Sequence, residues 1–434
     1  MVRFLFPLMV CLGITPPAHT KPPICQDCNL LLISIDTLRP DHMSLYGYER
    51  KTTPNIDRHL KDALVYPNAT TPSPCTIPAI KQFLSGRFDT QAPHLAEIFN
   101  NSGYETAAII SQALLRTAKE ERLHVAGFKH WDIQKPHEEN QHLMSTRDAK
   151  SIADAALAWL SKRRADKPFF LWTHFFDPHD PYDPPSAYRH WLKGPALYTD
   201  GDRRRIAQKD GYEGQWQRRQ NLFTRLEKEN LTALYDGEIA FTDTHVGKIF
   251  DDLRRRKLWE KTVVVLVSDH GEWLGEKDTW DHCLTLHEKE VRVPLVFRFP
   301  KKIPHPKPSN KAMSTLDILP SLTDVLGLSD PAAHLREGLS IFSTRHRRTT
   351  FSAFRKKVAH KQKLTKVYCA LKGSQCASWR HVRLNKAKPL EQDAAGTIDS
   401  NTKKTLEAFV AAQSVFLKTT DETLETLKAL GYTR

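Results

Sequence analysis

Five apolar runs frame this chain. Residues 29–35, 106–110, 168–172, 262–267 and 294–297 are continuously apolar or nearly so, rather than alternating. Such runs predict strands buried on both faces. Helical spacing fills the intervals at 152–163 and 231–254, and another helix begins at 314–320. Strands that alternate with helices predict an α/β layer fold around a large, mostly parallel sheet. Ligands of such sheets gather at the carboxyl ends of the strands. Asp36, His174 and Asp269 each follow a predicted strand, so the pattern alone steers three chemical side chains toward one edge.

The two ends read differently. Met1-Val2-Arg3, an apolar run over 4–14 and small residues near Ala18 predict a secretory signal peptide over 1–20. That run is short for a membrane span, and no other stretch is apolar enough to be one. The expected location is therefore exported, periplasmic or secreted. Cys11 gives slight support to lipoprotein anchoring, although Val10 before it is larger than such sites prefer. Residues 186–230 are polar, basic and contain Trp and Tyr, which predicts an inserted, partly helical surface segment near the site rim. From Thr349 the chain turns basic, with short strand-like pieces that predict a small C-terminal sheet.

Composition narrows the class. The chain has 434 residues, 40% hydrophobic and 26% charged, which excludes a disordered protein and allows one large domain with a smaller one. The net charge of +14 serves solubility or attracts anions, and it selects no partner by itself; nothing in the pattern calls for nucleic acid. Of seven cysteines, six remain once a signal carrying Cys11 is removed. An even number in an exported chain permits disulfides. Cys25-x-x-Cys28 reads as a local disulfide or as free thiols. Cys369 and Cys376 flank a hairpin tip that a disulfide could pin.

Candidate chemistry sits in three places. Asp36 ends the first run, and Ser268-Asp269-His270-Gly271-Glu272 ends the fourth. Two carboxylates and an imidazole suit Zn²⁺ or Mn²⁺ better than Ca²⁺ or Mg²⁺, which favour oxygen alone. Thr76 lies in Ser73-Pro74-Cys75-Thr76-Ile77-Pro78-Ala79-Ile80, ahead of a helix predicted over 78–86. Its hydroxyl is a weak nucleophile until a metal ion lowers its pKa, and a helix N-terminus favours an anion there. A Thr shortly before Pro is also an ordinary helix start, and both readings stand. His174, His179 and His282 are placed to bind an ester oxygen or to protonate a leaving group.

These pieces, with Tyr46-Gly47-Tyr48, Thr53-Pro54-Asn55-Ile56-Asp57, Phe176-Asp177-Pro178-His179-Asp180-Pro181-Tyr182, Tyr235-Asp236-Gly237-Glu238, Val291-Arg292-Val293-Pro294 and Leu427-Lys428-Ala429-Leu430-Gly431-Tyr432, resemble the sulfatase family of the alkaline phosphatase superfamily over nearly the full length. The resemblance implies an α/β/α sandwich with a large mixed sheet, a catalytic domain over 29–345 and a C-terminal antiparallel-sheet subdomain over 346–434. It also implies one divalent metal and a covalent sulfo- or phospho-enzyme intermediate. By position, Asp36, Asp269, His270 and Thr76 become metal ligands, with Thr76 the nucleophile. His282 and His179 become substrate-binding and catalytic residues.

The departures from the family are informative. Sulfatases oxidise a Cys or Ser two residues before Pro to an aldehyde hydrate, with an Arg two residues after it; here the positions hold Thr76 and Ile80, and Cys75 is out of register. Calcium-type members carry a second Asp where Thr37 stands and an Asn where His270 stands. The set is closer to the family's phosphoester-processing branches. The expectation is an exported hydrolase of sulfate or, by its residues, phosphate or phosphonate esters. The alternatives are a transferase that moves a phospho-group to a surface glycan or lipid, and an inactive binder of anionic polysaccharide. Cys75 beside Thr76 and Cys283 beside His282 could pair and clamp two loops, or be unrelated buried thiols.

Overall fold

The computed structural model describes residues 25–88, 93–111, 127–133, 147–194, 223–304, 306, 312–343, 350–358, 363–372, 375–382 and 391–392. The expected signal peptide, most of the 186–230 segment and the 427–432 motif lie outside them. Seven strands form the main sheet: β1 (Asn29–Ile35), β2 (Leu64–Val65), β3 (Glu105–Ile110), β4 (His130–Asp132), β5 (Phe169–Phe175), β6 (Thr262–Ser268) and β7 (Leu295–Arg298). Their order is β2-β7-β6-β1-β5-β3-β4. β1 lies between β5 and β6, parallel to both, and β7 runs antiparallel to β6. The sheet is therefore mixed and mostly parallel, as the continuous apolar runs predict.

Every residue of β1, β5 and β6 is buried, because helices cover both faces. On one face α1 (Pro54–Leu60), α4 (Ala149–Lys162) and α5 (Arg225–Arg255) bring Ile56, Ile152 and Phe250 against Leu31, Ile33 and Leu171. On the other, α2 (Thr76–Ser85), α3 (Leu95–Asn101) and α6 (Ile318–Leu326) bring Phe83, Phe99 and Leu322 against Leu30, Trp172 and Val265. This is an α/β/α sandwich. A separate antiparallel sheet joins β8 (Thr350–Val358), β9 (Lys363–Lys372), β10 (Gln375–Val382) and β11 (Glu391–Gln392).

Some boundaries differ from the sequence expectation. α2 begins at Thr76, ahead of Pro78, because a proline in the first helical turn gives up an N–H that has no intrahelical partner. α5 begins inside the 186–230 segment, where Thr224 accepts from Glu227 N and the Glu227 side chain returns to the Thr224 N–H. Hairpin β9–β10 forms around the expected tip. Its register sets Cys369 opposite Ser378 and Cys376 opposite Leu371, so the two cysteines are not cross-strand partners. Cys25 and Cys28 are disulfide-bonded.

Leu31 is wholly buried at the centre of the sheet, whereas Leu335 is exposed. Leu31→Ala should cost about 2–5 kcal/mol in urea unfolding followed by tryptophan fluorescence. Leu335→Ala should change it by less than about 0.5 kcal/mol.

Candidate active site

The carboxyl ends of the central strands gather the chemistry. Ile35 of β1 pairs with Ser268 of β6, so the next residues, Asp36 and Asp269, emerge side by side. His270 follows. The turn holds because Gly271 packs against the chain: a Cβ there would come within 2.2 Å of the Lys289 carbonyl oxygen. Across the site, Thr76 is the first residue of α2, with Cys75 as its N-cap. Asp36, Asp269 and His270 are fully buried, and Thr76 is 2% exposed.

Hydrogen bonding fixes the His270 tautomer. Its Nδ1 lies 3.0 Å from the Gly271 carbonyl oxygen, which can only accept, so Nδ1 carries the proton. The bare Nε2 is 3.0 Å from Thr76 Oγ1, 3.7 Å from Asp36 Oδ1 and 3.6 Å from Asp269 Oδ2. Burial, then the nearby His282, push the His270 pKa down to about 3, which keeps the ring neutral. Asp269 Oδ1 accepts from the backbone N–H groups of His270 and Thr37, at 2.9 and 3.3 Å. Its Oδ2 is buried with no hydrogen-bond partner.

That orphaned oxygen tests the fit of a cation. Ligand atoms of Asp36, Asp269 and His270 all lie within 4.8 Å of one another. A tetrahedral ion with bonds of about 2.1 Å holds its ligands about 3.4 Å apart, close to the spacings around Nε2. The residues fit a divalent metal. Without an ion the carboxylates divide the charge. Burial opposes ionisation of Asp36, but the facing His174 and the neighbouring histidines hold its carboxyl well below the usual range. Burial and the charge of Asp36 push Asp269 well above it.

His174 lies beside Asp36 at the same edge of the sheet. It is fully buried, with Nε2 3.7 Å from Asp36 Oδ2 and Nδ1 2.8 Å from Ser34 Oγ. Ser34 Oγ also accepts from Trp172 Nε1 at 2.9 Å. The Ser34 hydroxyl can then donate to Nδ1, which leaves the His174 proton on Nε2, facing Asp36. His174 is thus set between Ser34 and Asp36 at the carboxyl end of β5.

His282 and His179 do reach the site. The His282 ring stacks on His270 with centroids 4.5 Å apart, and His179 meets His282 edge-on at 4.8 Å. Asp281 Oδ1 lies 2.9 Å from His282 Nδ1 and accepts the His282 backbone N–H at 2.7 Å. Burial disfavours the imidazolium, but Asp281, Glu272 and Asp36 raise the His282 pKa to about 10. His179 donates from Nδ1 to the Asp180 carbonyl oxygen at 2.5 Å, which leaves its Nε2 bare when the ring is neutral.

Several supporting residues stand in the quoted motifs without a role assigned to them from sequence. Tyr182 donates to Glu272 Oε1 at 2.7 Å, inside the site wall. Tyr235 donates to the Thr37 carbonyl at 2.8 Å and accepts from Arg39 N at 2.9 Å, fixing the turn after β1. Thr37, Asp281 and Cys283 have φ of 52°, 77° and 61°. Each left-handed, non-glycine residue costs about 1–2 kcal/mol, so the surroundings hold these turns against their preference. Cys75 and Cys283 are disulfide-bonded. A cavity of about 650 Å³ lies at the amino ends of β3 and β5, lined by Lys129, Lys162, Arg163 and Trp159, and contains none of this chemistry.

The family model for Sulfatase matches residues 28–328. The arylsulfatase of Clostridium perfringens is 24% identical over 385 residues, covering 72% of this chain and 77% of that protein. The phosphonate monoester hydrolase of Agrobacterium radiobacter has a similar fold, with a TM-score of 0.56, 18% identity, and coverage of 82% of this chain and 89% of that one. So does the C-terminal periplasmic domain of EcEptC from Escherichia coli, in complex with Zn. Its TM-score is 0.58 at 19% identity, with 76% and 90% covered.

The raised pKa of Asp269 yields a signed prediction for the metal-free protein. Its folded value lies above the unfolded value of about 3.9. The stability it contributes is therefore complete below about pH 3.9 and is lost as pH rises through the folded value. Asp269→Asn should melt higher than the parent at neutral and alkaline pH, by roughly 2–4 °C for each kcal/mol of repulsion removed. The gap should close toward pH 4. Zn²⁺ should raise the melting temperature of the parent but not of the variant, read by scanning calorimetry.

Proposed function

The chain belongs to the sulfatase family, and from that premise we propose that it is an exported, metal-dependent hydrolase of phosphate or phosphonate esters with Thr76 as nucleophile. Membership makes it a hydrolase of sulfate or phosphate esters. The observation that carries the finer reading is the Thr76 hydroxyl, 3.0 Å from the bare nitrogen of His270 and beside two buried carboxylates. Threonine cannot become the aldehyde hydrate that sulfatases use, so the hydroxyl itself must attack. The phosphonate hydrolase with this fold and the zinc-bound periplasmic domain add support for a phosphorus ester and for Zn²⁺.

A divalent ion held by Asp36, Asp269, His270 and Thr76 would lower the Thr76 pKa and offset the anionic charge of the ester. The chain's own groups supply the rest. The start of α2 presents Thr76 Oγ1 where a helix N-terminus favours an anion. Thr76 Oγ1, once its proton has passed to solvent water, bonds to phosphorus as the bond to the leaving oxygen breaks. His282, held cationic by Asp281, gives that oxygen a proton. His179 offers its bare Nε2 to the same region, as base for the water that releases phosphate and restores Thr76. His174 orients Asp36.

Export is supported by the signal-like start of the sequence and by two disulfides, which persist in oxidising compartments. Among the described residues no helix is long and apolar enough to cross a membrane. The catalytic domain is taken as 29–345 and the C-terminal subdomain as 346–434. The substrate is an anionic ester, carried on a glycan or a lipid.

Nitrophenol release from matched aryl sulfate, phosphate monoester, phosphate diester and phosphonate tests this reading. With Zn²⁺ or Mn²⁺, phosphorus esters should turn over faster than the sulfate. Thr76→Ala should lose at least about 10³-fold in kcat, and Thr76→Ser should keep measurable turnover. Sulfate turnover that survives Thr76→Ala would remove Thr76 from the mechanism.

A further inference from the structure

Two loops meet at the mouth of the site, and a sulfur–sulfur bond ties them. Cys75 is the residue before Thr76, and Cys283 is the residue after His282. Their disulfide spans 208 positions of sequence. Beside it the Cys283 N–H donates to the Pro74 carbonyl at 3.1 Å. Both cysteines are partly exposed.

The His282 loop is shaped by contacts on both sides of that residue. Positive φ at Asp281 and Cys283 bends the chain on both sides of His282. Upstream, Trp273 and Leu274 pair with Asp281 and Trp280. Downstream, the N–H groups of Leu284 and Thr285 donate to Glu290 at 2.9 Å each. These contacts shape the loop within its own region. The disulfide and the hydrogen bond to Pro74 instead join it to the start of α2, where Thr76 faces His270.

We propose that the Cys75–Cys283 disulfide is a redox switch for catalysis: closed, it sets His282 and Thr76 in one frame; open, it lets the His282 loop relax and slows the reaction while the fold and the metal site persist. The proposal rests on the reading that Thr76 and His282 act in ester cleavage. Closure oxidises two thiols, which lose two protons and two electrons. A disulfide-bearing partner, for which oxidised glutathione can stand in, accepts them by exchange and leaves as two thiols. The consequence is an enzyme that stays slow in a reducing compartment and becomes fully active in an oxidising one. Cys75 and Cys283 are positioning residues, since neither sulfur is among the reacting atoms.

The full chain tests this, in a Cys25→Ser/Cys28→Ser background that leaves one described disulfide to titrate. The protein is poised in glutathione buffers of graded ratio, and alkylation mass analysis reads the Cys75–Cys283 state. Opening the bond should lower kcat roughly ten- to a hundred-fold, the scale of a misplacement of about 1 Å. KM for the aryl phosphate and bound Zn²⁺ should hold steady, and reoxidation should restore kcat. The His282 ring resonance should move on reduction, and Cys75→Ser/Cys283→Ser should stay in the low state at every ratio. If that variant does not fold, the reversible titration of the parent decides. Unchanged kcat with the bond shown open overturns the proposal. So does a loss that tracks unfolding or loss of zinc, which would make the bond a staple of the fold. If no ester turns over in any state, the functional reading fails, and the His282 resonance still decides whether the bond sets that ring.

Discussion

Two carboxylates without access to water, set side by side by strand register, are the constraint around which this site is arranged. β1 and β6 are buried on both faces and pair without a slip, with Ile35 opposite Ser268. Asp36 and Asp269 must then emerge together. Two like charges within about 5 Å repel by roughly 3–4 kcal/mol at an effective dielectric of 20. The protein meets this with His174 beneath Asp36 and with two backbone N–H groups on Asp269, and it still leaves one Asp269 oxygen without a partner. An apolar pair of the same size would pack there at less cost. A cation is what makes this arrangement intelligible.

That constraint also explains the neighbouring turns. Thr37 adopts a left-handed conformation and points its N–H at Asp269, while Tyr235 holds the turn from a helix nearly two hundred residues away. The stacked rings of His270 and His282 differ in charge, one kept neutral mainly by burial and the other kept cationic by Asp281 and Glu272. A neutral ring can offer a lone pair and a cationic ring can give a proton. The same residue type thus serves both needs because its carboxylate neighbours differ.

The central strands were legible because burial on both faces leaves an unbroken apolar run, a pattern that needs no partner to be seen. Asp36, Asp269 and His270 were legible for the same reason, since each stands at the end of such a run. β2 and β4 were not, because two or three residues carry no period. His174 was visible as a strand histidine, but its surroundings depend on Ser34 and Trp172, which only pairing of β1 with β5 brings near. Glu272 stood in a motif without a role until Tyr182, ninety positions away, met it. Partners distant in sequence define these residues, and local spacing cannot hold that information.

The cysteine beside Thr76 bears on the register of that loop. A sulfatase of the usual kind needs a Cys or Ser two residues before Pro, and Cys75 is three before Pro78. A shift by one residue could in principle have brought its sulfur to the site. In the structure that sulfur is bonded to Cys283, where it can be neither oxidised to an aldehyde nor made to attack. The side chain that faces the bare nitrogen of His270 is the Thr76 hydroxyl. The loop has kept its helix start and its proline. Its one sulfur serves to hold the loop in place, and on the proposed reading attack falls to an oxygen that no maturation chemistry of the aldehyde type can alter.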